Sequence, residues 1–129
     1  MSEQRTIPAP LPNPETQKFW DAARQGKLMI GKCKSCGETH YYPRALCPFC
    51  FGETELTESK GNGTIYSYSV MRRAKPVYCI AYVALDEGVT MMANIVDSDL
   101  DALTIGQKVA LVYKPTEGDG PPMAMFKAE

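Results

Sequence analysis

Histidine is almost missing from this chain, with His40 the only one among 129 residues. A lone histidine rules out the H-E-x-x-H arrangement of zinc proteases, and no Ser or Asp motif accompanies it to suggest a His-carboxylate-nucleophile set. A G-x-S-x-G turn and a glycine loop that cradles phosphate are missing too, so no catalytic centre can be assembled from the residues. Apolar runs are short, none approaching the roughly 18 residues that cross a bilayer, and no membrane span is expected. Positive charge has no surplus either: 14 Lys and Arg stand against 15 Asp and Glu, for a net charge of −1 and a pI near 5.9. Nucleic-acid binders ordinarily carry excess cations to displace counterions from phosphates, which lowers that class. What remains for it is the local patch Met71-Arg72-Arg73-Ala74-Lys75. The opening Met1-Ser2-Glu3-Gln4-Arg5 lacks the apolar core of an export signal, so a reducing, cytoplasmic location is expected.

Against these absences stand four cysteines in two C-x-x-C pairs, Cys33-Lys34-Ser35-Cys36 and Cys47-Pro48-Phe49-Cys50. A two-residue gap lets one tight turn aim both sulfurs of a pair at a single point, and Zn²⁺ accepts four thiolates tetrahedrally. Disulfides would need an oxidising compartment. The four are read as ligands of a structural metal. Iron also accepts four thiolates, but availability and the lack of an evident redox partner favour zinc. A closed tetrathiolate leaves no coordination position for water or substrate, so the ion is expected to hold the fold and do no chemistry. Cys79 lies apart, inside the apolar run 77–85 and without a base, and reads as an inert packed thiol.

The rest of the chain divides into three parts. Pro8, Pro10, Pro12 and Pro14 alternate strictly, which forbids helix and sheet and predicts an extended arm, either a disordered tail or a segment that docks on a partner subunit. Asn13-Pro14-Glu15-Thr16 reads as a helix start and Gly26 as its stop, with Phe19, Trp20, Ala22 and Ala23 on one face. Trp20 is expected to pack on another element or subunit. Leu28-Met29-Ile30 leads as a strand into the first cysteine pair and His40-Tyr41-Tyr42-Pro43 towards the second. With the coordination sphere already complete, His40 is expected at the surface or partly packed. From Gly61 onward short strands are predicted over 64–71, 77–85, 91–96, 108–113 and 123–126, with a short helix over 97–103. Five strands with such an insertion suggest a small closed Greek-key barrel of the OB type. The expected parts are 1–32 as arm and helix, 33–60 as zinc ribbon and 61–129 as OB domain.

The order of these parts resembles a known family. A helix ending near Gly26-Lys27-Leu28, the two cysteine pairs, Gly63-Thr64-Ile65-Tyr66-Ser67-Tyr68, Ala81-Tyr82-Val83-Ala84-Leu85-Asp86-Glu87-Gly88, Asn94-Ile95-Val96 and Ile105-Gly106-Gln107-Lys108-Val109 are collinear with it. The chain looks like the zinc-ribbon (rubredoxin-like) plus OB-fold proteins associated with thiolase-like enzymes. One departure is Phe51-Gly52, because the family commonly places glycine directly after the last cysteine. The resemblance implies an accessory subunit, without catalysis of its own, in a hetero-oligomer with a thiolase-like enzyme that makes or breaks C–C bonds on acyl-CoA. Such members resemble partners of acetoacetyl-CoA thiolase, of HMG-CoA synthase, and of aldolases in lipid or steroid metabolism.

If acyl-CoA touches this chain, its phosphates need cations. Arg72, Arg73 and Lys75 are the best local supply, with Tyr66, Tyr68 and Tyr78 near enough to stack on adenine, although a solvated loop with barrel-surface tyrosines is the commoner use of such residues. Met91-Met92 offers flexible thioethers for an acyl chain, although core filling is their commoner use. The alternative class is a single-stranded nucleic-acid-binding module built on the same barrel and ribbon.

Overall fold

A computed structural model describes residues 6–129. It contains helix α1 (Gln17–Ala23) and eight strands: β1 (Leu28–Cys33), β2 (Thr39–His40), β3 (Thr54–Ser59), β4 (Asn62–Met71), β5 (Tyr78–Leu85), β6 (Thr90–Val96), β7 (Lys108–Lys114) and β8 (Met123–Ala128). A single 3₁₀ turn, Leu100–Ala102, stands where a short helix was expected between the third and fourth barrel strands.

Strands β2, β1 and β3 form an antiparallel ribbon, and β4-β5-β6-β8-β7 close into a barrel. Closure comes from β7 returning to β4, with Asn62 opposite Ala110 and Thr64 opposite Lys108. The parallel pairing of β6 with β8, Ile95 opposite Phe126, completes the circuit. The mainly β fold and the five-stranded OB barrel expected from the turn spacing are both present. Alternation drives it: along β5, Cys79, Ala81, Val83 and Leu85 point inward while their neighbours do not. A register shift between Ile65 and Ser67 turns Tyr66 out of the ladder, and its ring is exposed.

Strand β3 was not anticipated. Its sequence, Thr54-Glu55-Leu56-Thr57-Glu58-Ser59, is too polar to announce a strand, yet it pairs with the whole of β1. It earns its place by satisfying the backbone of β1, whose Leu28 and Ile30 are buried.

Helix α1 starts one turn later than its capping residues suggested. Asn13 Oδ1 accepts the Thr16 amide at 3.1 Å, and the chain makes a turn before entering the helix. At the other end Gly26 donates to Ala23 O and Lys27 to Ala22 O, closing the helix where glycine predicted it. Phe19, Trp20 and Ala23 join Leu28, Ile30 and the barrel interior in one buried cluster. Trp20 therefore packs within the chain, its Nε1 donating to Tyr42 Oη at 2.7 Å.

The proline arm also lies on its own barrel. Glu117 N donates to Ile7 O at 2.9 Å, and Ala9 stands against Gly120 in the β7–β8 connection. Arg24 reaches the same connection through Asp119 O. No helix among the described residues is long and apolar enough to cross a membrane.

Candidate metal centre and barrel cleft

The two cysteine pairs form knuckles of matching geometry. Cys33 N donates to Glu38 O and Gly37 N to Cys33 O; Cys47 N donates to Gly52 O and Phe51 N to Cys47 O. The register makes Phe51 the counterpart of Gly37. Gly37 has φ 77°, which glycine adopts freely, and Phe51 takes φ 61° with a full side chain. Thus the departure noted at Phe51-Gly52 leaves the turn intact and places a phenylalanine in left-handed backbone.

These turns aim amides at sulfur. Ser35 and Cys36 N both donate to Cys33 Sγ at 3.3 Å, while Phe49 N reaches Cys47 Sγ and Gly52 N reaches Cys50 Sγ at 3.4 Å. Foremost the amide of Cys36, working against burial and joined by that of Ser35, lowers the Cys33 thiol to about 6. Such hydrogen bonds favour thiolate, the form a metal binds.

The four sulfurs lie within 4.8 Å of one another, with Cys33–Cys50 at 3.5 Å and Cys36–Cys47 at 3.7 Å. Zn–S bonds of about 2.3 Å in a tetrahedron place sulfurs about 3.8 Å apart. The donor set fits structural zinc in both chemistry and spacing. Leu28 and Ile30 of β1 belong to the common core, and between Ile30 and Ile65 the buried apolar residues are Cys33 and Cys47 alone, so past β1 the ribbon's buried apolar side chains are metal-site cysteines.

His40 is more deeply buried than expected, at 5% exposure. Its ring lies over Gly31 of the neighbouring strand, where a Cβ would stand 2.1 Å from Nε2. Glycine at 31 is thus required by close approach. Neither ring nitrogen of His40 has a hydrogen-bond partner among the described residues. Burial first, and the charge of Arg44 second, push its pKa below the ordinary value and keep the ring neutral.

A cleft of about 730 Å³ opens on the barrel between the β4–β5 connection and β6, its walls including Val77, Ile95, Leu100 and Met125. Lys75 and Tyr78 line it, whereas Arg72 and Arg73 do not. Arg72 is engaged with Asp101 at 2.6 Å in an exposed pair. Tyr68 is committed elsewhere, donating to Leu103 O at 2.8 Å. Met91 fills the core and Met92 is exposed, so they face opposite ways. Sequence reasoning missed the contribution of Lys114, which lines the cleft paired to Asp97, because the two stand at the ends of β7 and β6 and come together only through closure of the barrel.

Cys79 is fully buried and its burial raises the thiol pKa. Thiol-reactive reagents added to the zinc-loaded chain should label it only as fast as the barrel opens. Cys79→Ser should lower stability by about 1–3 kcal/mol, the cost of a hydroxyl in an apolar site, with melting as the readout. Fast stoichiometric labelling of folded protein would contradict the burial.

Residues 20–57 match the family profile described as the ChsH2 rubredoxin-like zinc ribbon domain, and residues 56–114 the ChsH2 C-terminal OB-fold domain. A DUF35 domain-containing scaffold protein of Methanocaldococcus jannaschii is 34% identical over 112 residues, covering 80% of this chain and 79% of that protein. The chain belongs to the DUF35 family. A Thermomonospora curvata protein named "Probable enoyl-CoA hydratase alpha subunit" is 31% identical over 110 residues, 81% of this chain but 34% of that longer protein. A chain from the solved Ltp2-ChsH2(DUF35) aldolase superposes with a TM-score of 0.79 at 27% identity, covering 92% of this chain and 98% of that one. The zinc ribbon and OB barrel expected from spacing are thus those of a DUF35 protein.

Proposed function

We propose that this chain is an accessory subunit of a thiolase-like or aldolase-type acyl-CoA enzyme, and that its barrel helps hold the acyl-CoA while the partner performs the C–C chemistry. The carrying observation is the near full-length likeness to a DUF35 chain of a two-component aldolase. The likeness to an enoyl-CoA hydratase subunit supports a CoA ester as the ligand class. In this reading, arm and helix (1–32) brace the ribbon against the barrel within the chain, the ribbon (33–60) docks, and the barrel (61–129) faces the ligand, in the cytoplasm.

The cleft beside β6 has the character the ligand requires. Its walls are apolar enough for an acyl or pantetheine segment, and Lys75 stands at its rim as a counter-charge for phosphate. Tyr78 offers a ring face for adenine. Arg72 and Arg73 lie on the adjoining turn, and the exposed Arg72–Asp101 pair is weak enough for phosphate to replace the carboxylate.

Expression with the thiolase-fold subunit encoded nearest to it should yield a stable complex that turns over acyl-CoA, while this chain alone yields no product. In that complex Lys75→Ala should raise KM about tenfold with kcat retained, the loss of one charge-assisted hydrogen bond. Recovery of the chain as a monomer without effect on any thiolase-fold enzyme would overturn the proposal.

A further inference from the structure

The ribbon carries a second recess, apart from the barrel cleft and flanked on one side by the second knuckle. It holds about 280 Å³ at the junction of ribbon and barrel, and its walls include His40, Tyr42, Arg44, Phe49 and Thr90. Those walls supply an imidazole, a guanidinium and hydroxyls, with no carboxylate among them. His40 is 95% removed from solvent, yet both its nitrogens lack partners among the described residues. A buried polar group in that state costs free energy until something meets it.

Beside the recess, the second knuckle exposes three large apolar side chains within six residues: Leu46 at 54%, Phe49 at 65% and Phe51 at 79%. Phe49 belongs to both features, so recess and apolar face are continuous. Phe51 holds left-handed backbone at φ 61°, a conformation disfavoured for a bulky residue. Its ring gains nothing inside the chain in return, since it is almost wholly in solvent.

We infer that this face, Leu46, Phe49 and Phe51 around the recess of His40 and Arg44, is the docking site for an acidic-plus-apolar segment of the catalytic subunit, whose carboxylate enters the recess. The inference rests on the accessory-subunit reading. Charge complementarity selects the occupant: a cation and hydrogen-bond donors without any acid call for an anion, and the flanking rings call for an apolar neighbour on the same segment. The carboxylate meets Arg44 and an N–H of His40, and the apolar side chain covers the phenylalanines.

The test titrates the purified thiolase-fold subunit into the zinc-loaded full chain and its variants. Arg44→Glu should weaken the complex at least tenfold, and Phe51→Gly at least fivefold. Phe51→Gly separates docking from folding, because glycine suits φ 61°; its melting midpoint should not fall while its affinity does. Lys18→Glu, a charge reversal on the exposed face of α1, should leave affinity unchanged. Nitrogen NMR of the His40 ring should shift with the partner and stay still with sodium acetate alone.

Unchanged affinity of both Arg44→Glu and Phe51→Gly in a complex that still forms overturns the docking site and leaves the accessory-subunit reading standing. A His40 ring that responds to acetate while both variants bind normally makes the recess a small-carboxylate site, which also overturns it. Failure of the unaltered chain to bind any thiolase-fold subunit overturns both readings together.

Discussion

Removing the metal with a strong chelator will unfold residues 33–58 and leave the barrel closed. The asymmetry follows from where apolar surface is buried. The barrel has its own interior, with Ile65, Val83, Ile95, Val109 and Phe126 at 2% exposure or less. In the ribbon the buried apolar side chains beyond Ile30 are Cys33 and Cys47, which are ligands themselves. Apparent zinc-binding energies of about 10–16 kcal/mol in comparable small modules exceed what two short strand pairings can supply. Hydrogen exchange should show protection lost in β2, β3 and both knuckles and kept in β4 to β8. Trp20 fluorescence should move to the red, because Tyr42 leaves its indole when the ribbon opens. Affinity for the catalytic subunit should fall by orders of magnitude, and turnover only as far as the complex dissociates.

Acid should act in the same direction as the chelator. Protons compete with the metal for all four thiolates, and the amides at Cys33 Sγ favour the ionised form of that ligand, so retention weakens as pH falls from neutrality and metal release is the readout. Cys47→Ser should reproduce the chelated state at neutral pH. Unaltered Trp20 emission and unaltered protection of the ribbon after metal loss would show that packing alone holds it.

Why the metal site was legible and parts of its surroundings were not is a matter of which physics is local. Two C-x-x-C pairs declare a coordination sphere because the turn that converges two sulfurs is written within four residues. Alternation and turn residues likewise reveal the barrel strands, since each inward side chain sits two positions from the next. Strand β3 stayed hidden because its partner β1 supplies the reason for it, across more than twenty residues. His40 was expected near the surface for a related cause: nothing beside it in sequence reports that Gly31, across the ribbon, leaves room for its ring. The three cations weighed as phosphate partners also sorted themselves only in three dimensions, with Lys75 in the cleft and Arg72 turned to Asp101.

Phe19 joins these parts, and Phe19→Ala should lower stability by about 3–5 kcal/mol, the range for deleting a buried aromatic ring. Its side chain is 2% exposed and meets Trp20, Tyr42 and Tyr41 edge-on, with centroids 4.9, 5.2 and 5.8 Å away. Each such pair adds about 0.5–1.5 kcal/mol beyond the area buried. The void would open between α1 and the tyrosines before the second knuckle, so it should also loosen the ribbon against the barrel. Phe126→Ala removes a ring of equal size from the barrel interior and should cost a similar amount in urea unfolding. The two should separate in the complex: Phe19→Ala weakens binding of the catalytic subunit by displacing the ribbon, whereas Phe126→Ala does so only where the whole chain unfolds. A cost below about 1 kcal/mol for Phe19→Ala would mean that α1 is dispensable to the core. Equal binding losses at equal residual stability would mean instead that the helix does not position the ribbon, because then global unfolding alone would account for both.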